Sequence, residues 1–177
     1  MPLFDIRKQF AFYGSYHAHP LNKLVHIVCV PIIWCSALMF FAHHTGFSDK
    51  ILNPTAAVAA FYVVVYILME PLAGLLMTPL LVGLYMIAIQ ANVAVPAYVP
   101  SIFGFSQVIC WTLQFLAHGF IEKRAPALLD NLFQAILTAP FFVFMEVLFH
   151  LGYRPQLKED IDKDIQLKLE DFLSKKQ

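Results

Sequence analysis

Residues 72–95 read LAGLLMTPLLVGLYMIAIQANVAV, a stretch with no Asp, Glu, Lys or Arg. Wound as an α-helix at about 1.5 Å per residue, it is roughly 36 Å long, more than the ~30 Å hydrocarbon layer of a bilayer. This length marks a spanning helix, with Pro79 a place where it can kink. Working outward, three more apolar runs have similar character: Leu24 to Ala42, Thr55 to Met69 and Ser101 to Ile121. The second of these is short. Gly46, Asn53-Pro54, Glu70-Pro71 and Pro96 to Pro100 punctuate the runs, as turn-forming residues do.

Composition supports an integral membrane protein. The chain has 177 residues, of which 59% are hydrophobic and 14% charged, with 12 basic and 12 acidic side chains. Zero net charge provides no field for nucleic acid, which excludes that class of partner. Cys29, Cys35 and Cys110 sit in apolar runs, match no metal-ribbon spacing and read as inert buried thiols. Met1 to Tyr16 mixes Asp5, Arg7 and Lys8 with aromatics rather than forming a cleavable signal, so the first apolar run is expected to act as an internal anchor.

Arg7, Lys8 and Lys23 precede the first run and Lys123 and Arg124 follow the fourth, against Lys50 alone in the loop after the first. Basic residues favour the cytoplasmic side, and four spans return the chain to the side on which it started. Both termini are therefore expected there. Leu132 to Leu151 is also apolar but is interrupted by Pro140, and its halves are too short to cross alone. A re-entrant or interfacial hairpin and a fifth span are both compatible with it. In the tail, Leu157, Ile161, Ile165, Leu169 and Phe172 recur every three or four residues among charges, an amphipathic helix. The expected architecture is all-α: a polytopic helix bundle of about four spans, an apolar hairpin and this helix, with 1–153 membrane-embedded and 154–177 a cytoplasmic tail.

The charged and polar residues near the ends of these runs need an explanation, because such groups are costly in a membrane. In WTLQFLAHGFIEKR (111–124), His118 and Glu122 are four apart and share one helix face, with Gln114 a turn earlier. In YHAHPLNKLVH (16–26), a straight helix would put His17 and His26 on opposite faces. Pro20 disfavours helix at His19 and is suited to open a new one, and a break there lets both imidazoles aim at one point. The two segments fall on the same side of a four-span topology. A shared metal ion would satisfy the group; interfacial anchoring or bonding to carbonyls is the plainer reading of each residue alone. Three nitrogens and a carboxylate suit iron, zinc or manganese. His43 and His44 are about 25 Å further along and read as loop residues, His150 depends on the hairpin, and His19 is limited by Pro20.

Together, FYGSYHAHPLNKLVHIVCVP (12–31) and WTLQFLAHGFIEKRAPALLDNLFQAILTAPFFVFMEVLFHLGYRP (111–155) resemble the fungal 2-hydroxy fatty acid dioxygenases of the endoplasmic reticulum, which metabolise phytosphingosine to odd-numbered fatty acids. The resemblance is strongest at the two ends of the chain and loose from about His43 to Pro100. It implies an iron(II)-dependent enzyme that uses oxygen to shorten a long-chain 2-hydroxy fatty acid by one carbon. The matching positions are His17, Asn22, His26, His118 and Glu122. The histidines and Glu122 are the expected metal site, with Glu122 either a ligand or an orienting partner of His118. Asn22, Lys23, Gln114 and Arg124 are the expected substrate contacts; for Lys23 and Arg124, positive-inside topology is an equal explanation. Two other functions fit the same residue types: a metal-dependent hydrolase of membrane lipids, and a scaffold or transporter with structural histidines.

Overall fold

The structure, a computed structural model, describes residues 4–45, 53–126 and 132–174. Within them the secondary structure is helical throughout: α1 (Ile6–Tyr16), α2 (Pro20–Thr45), α3 (Pro54–Met69), α4 (Pro71–Ala94), a 3-10 turn (Pro96–Tyr98), α5 (Val99–Leu116) running into a π-helical turn (Ala117–Glu122), α6 (Leu132–His150) and α7 (Pro155–Ser174). The sequence explains the starts. The Asp5 carboxylate accepts from Lys8 N–H at the head of α1, and Asn53 accepts from Ala56 N–H with Pro54 opening α3. Glu70 serves two helices, its N–H closing α3 on the Tyr66 carbonyl while its carboxylate accepts from Ala73 N–H to open α4. Gly74 lets these two helices meet: a Cβ there would lie 2.5 Å from the Ile67 nitrogen.

Among the described residues, four helical stretches are long and apolar enough to cross a membrane: α2, α4, Pro96–Glu122 and α6. They fit a multi-pass membrane protein. Their exposed surface is made of large apolar side chains such as Leu72, Leu75 and Leu76 on α4 and Phe105, Val108 and Ile109 on α5. Such a surface suits lipid, which competes for no backbone hydrogen bond in a helix.

Three details differ from the sequence reading. The Leu132 to Leu151 stretch is not a hairpin: α6 is a single 19-residue helix that runs through Pro140. Pro31 and Pro79 likewise sit inside unbroken helices, so these three prolines do not divide the apolar helices that contain them. The Thr55 to Met69 run forms only the 16-residue α3, below the length of the other four. His43 and His44 belong to the last turn of α2 rather than to a loop; His44 bonds the Phe40 carbonyl through Nδ1 and Thr45 Oγ1 donates to the Ala42 carbonyl. The expected loop residues Gly46 and Lys50 lie outside the described residues.

The chain divides into two compact units, Met1–Val25 with Phe115–Gln177, and His26–Gln114. In the second, polar side chains tie apolar helices together. Gln107 Nε2 donates to the Ile33 carbonyl and Ser36 Oγ at 3.1 and 2.9 Å, and Asn92 Nδ2 donates to the Met39 carbonyl at 2.9 Å. Trp34 meets Tyr62 edge to face, and Phe40 stacks on Phe103. The first unit is centred on Phe10, which is edge-on to Tyr13, Phe142 and Phe149 and so joins α1 to α6. There α7 docks on α1. Ile165 of α7 is buried in the space left by Gly14, and Arg7 reaches Asp164 at 2.6 Å and Asp160 at 3.3 Å.

Candidate metal centre

The break expected at Pro20 is present. α1 ends at Tyr16 with His17 as its cap, at φ −133° and ψ 56°, and α2 begins at Pro20. This reverses the handicap of the nine-residue spacing between His17 and His26. His118 arrives on the π-helical turn that ends α5, closed by Lys123 in the left-handed region (φ 52°), whose N–H bonds the His118 carbonyl. Single π turns recur at functional sites because the widened turn re-aims one side chain.

His17, His26 and His118 each offer a ring nitrogen, and these atoms lie within 4.8 Å of one another. All three residues are buried. Three nitrogens bound to one ion at about 2.1 Å lie about 3–3.6 Å apart, so closing the group around an ion needs movements of about an ångström, within the reach of side-chain rotation. The residues fit a metal. The tautomer of His17 is set by its surroundings: Nδ1 is 2.9 Å from the Tyr13 carbonyl, to which it donates, leaving Nε2 as the atom able to coordinate an ion. The Tyr13 ring stacks on the His17 ring with centroids 4.0 Å apart, and the His118 ring meets His17 edge-on at 4.7 Å. Burial pushes the Tyr13 phenol well above its ordinary pKa, and the negative charges of Glu146 and Glu122 add to this.

The other expected site residues have defined places. Glu122 is not among the three residues that could hold an ion; its Oε1 accepts from the His19 N–H at 2.8 Å and Asn22 Nδ2 at 3.1 Å. It thereby holds the start of α2, the helix that carries His26. Asn22 is fully buried and also donates to the Tyr16 carbonyl. Gln114 turns back on its own helix, donating to the Cys110 carbonyl. Arg124 lies against two rings, its guanidinium 3.7 Å from the Tyr16 ring centroid and 4.2 Å from that of Phe172, with Nη1 donating to the Ser15 carbonyl. Lys23 pairs with Glu146 of α6 at 2.7 Å. Glu146 was missed from the sequence, although the signal is there: it is the one acidic or basic side chain in the apolar stretch 132–149. His43 is remote from the group and contacts Asn92 Oδ1.

Fold and site define a polytopic α-helical membrane protein with a buried three-histidine centre. Residues 3–151 match the family described as "2-hydroxy-palmitic acid dioxygenase Mpo1-like". A relative from Saccharomyces cerevisiae, "2-hydroxy-palmitic acid dioxygenase MPO1", is 36% identical over 166 residues, covering 94% of this chain and 92% of the relative. The chain belongs to the Mpo1-like family. No solved structure matches it.

Proposed function

We propose that the protein is a membrane-bound dioxygenase of 2-hydroxy fatty acids that holds iron(II) with His17, His26 and His118. The convergence of these imidazoles from two distant segments, in a chain of this family, carries the reading. A neutral three-nitrogen set leaves coordination positions for a substrate and for oxygen, and the bound ion would supply the redox centre at which the two meet. The products proposed are the acid one carbon shorter, carbon dioxide and water, which balance against the 2-hydroxy acid and one oxygen molecule with no further reductant.

The chain's own residues organise this chemistry. Tyr13 fixes the ring plane and tautomer of His17. Glu122 and Asn22 hold the start of α2 so that His26 is presented in register. The apolar helices would take the acyl chain from the bilayer while its acid head reaches the histidines. We place the protein in the endoplasmic reticulum membrane with both termini cytoplasmic, 1–153 forming the catalytic domain and 154–177 the tail.

The test uses detergent-purified protein loaded with iron(II) and given long-chain 2-hydroxy acid. Oxygen uptake should match carbon dioxide release one to one, stop with a chelator and return with iron(II). His17→Ala, His26→Ala and His118→Ala should each abolish uptake, whereas His43→Ala should retain it. Turnover of a lipid ester or amide without oxygen would replace this reading with a hydrolase. Purified protein that binds no metal would leave a scaffold or transporter.

A further inference from the structure

We infer that Glu146 is a positioning residue that aims the Lys23 ammonium at the carboxylate of the acid substrate. The inference rests on the reading as a 2-hydroxy acid dioxygenase and extends it to a group on α6.

Two cations lie near the histidines, and the structure separates their tasks. The Arg124 guanidinium lies against two aromatic rings, those of Tyr16 and Phe172, and its Nη1 is spent on a backbone carbonyl, so Arg124 is a structural clamp. Lys23 differs. It stands beside Asn22, less than one turn before His26, on the helix that builds the site. Its side chain is 18% exposed, while the Glu146 side chain beside it is 1% exposed. The pair is therefore sealed on the carboxylate side and open on the ammonium side.

Lys23 Nζ is paired with Glu146 Oε1 at 2.7 Å, and an ammonium, with three N–H donors, can serve a second anion besides. A carboxylate this deep is costly, and a buried ion pair is commonly no more stabilising than apolar residues of the same volume. Stability alone thus gives no reason for Glu146 among the phenylalanines of α6. Orientation does, because a lysine side chain otherwise moves through many rotamers, and a fixed partner removes that freedom before substrate arrives. Head-group recognition by Lys23 would favour a free acid over its uncharged ester.

The experiment compares wild type with Glu146→Gln, Lys23→Met, the double variant and the swap Lys23→Glu with Glu146→Lys. Readouts are KM and kcat for oxygen uptake, binding of a 2-hydroxy acid against its methyl ester, bound iron per chain, and melting temperature. Each single variant should raise KM at least tenfold with kcat within about threefold and iron content unchanged. The acid-over-ester preference should collapse, and the double variant should be no worse than Lys23→Met. The swap should recover melting temperature but not KM, because a carboxylate then stands where the substrate's must come. A KM within twofold of wild type in either single variant, or recovery of KM by the swap, would overturn the inference and leave the pair structural. If Glu146→Gln does not fold, Lys23→Met and the swap decide by the same criteria. Wild-type protein that takes up no oxygen defeats the dioxygenase reading instead, while the binding arm still judges the pair.

Discussion

Replacing Glu122 by glutamine tests whether this residue orients the centre or ligates it. One oxygen, Oε1, accepts both the His19 N–H at 2.8 Å and Asn22 Nδ2 at 3.1 Å, at the amino end of α2. Glutamine keeps a carbonyl acceptor there but removes the charge. Charge-assisted bonds are roughly twice as strong as neutral ones, which contribute about 1 kcal/mol, and the helix dipole adds about 0.3–1 kcal/mol. The loss is therefore about 1–2 kcal/mol, which converts to roughly 5- to 30-fold in the population that presents His26 correctly. That range overlaps the lower part of the 10- to 100-fold typical of a lost outer partner in a metal site. Competition between the purified protein and a chromophoric chelator for iron(II) or cobalt(II) reads it directly. Glu122→Gln should weaken metal binding by about tenfold and still reach one ion per chain at saturation. Glu122→Ala, which strands both donors, should weaken it further. A folded Glu122→Gln protein that binds no metal at any concentration would make Glu122 a ligand, and wild-type affinity would make it irrelevant to the site.

Gly74→Ala should lower the melting temperature in detergent more than Gly14→Ala does. The new methyl at 74 would meet the backbone of Tyr66 and Ile67 at 2.5–2.6 Å, whereas at 14 it meets the movable end of Ile165; equal losses would refute the distinction. Docking of α7 should weaken in acid. The Asp164 carboxyl is held below its ordinary pKa chiefly by its hydrogen bond from Arg7. A depressed folded pKa gives stability that is present above the unfolded value of about 3.9 and lost as pH falls through the folded value. Protease sensitivity of α7 should therefore rise below about pH 4 and be flat from pH 5 to 8, and Asp164→Asn should erase the step.

Apolar length was legible without a structure, since charge-free runs of this size have few other fates. The break at Pro20 was legible too, because proline constrains its neighbour's backbone locally, and with it the meeting of His17 and His26. The continuity of α6 was not: Pro140 breaks helices in water, yet in an apolar helix held by neighbours its missing bond is tolerated. The partners of Lys23, Arg124 and Gln114 were also hidden. Each depends on which rotamer a long side chain adopts among elements far apart in sequence, and spacing has no access to that. The π turn at His118 is similar, as nothing in AHGFIE distinguishes it from α-helix.

The centre joins residues whose chain separation is large; Asn22 and Glu122 are 100 positions apart, and the histidines divide in the same way. A growing chain emerges from its amino end, so His17 and His26 are made long before His118. Until α5 is complete and its π turn closes, only two imidazoles are in place, too few for firm retention of a labile divalent ion. On the proposed reading, oxygen chemistry would thereby be deferred until four apolar helices have been made, and a chain stalled midway through insertion would stay inert toward the lipids around it.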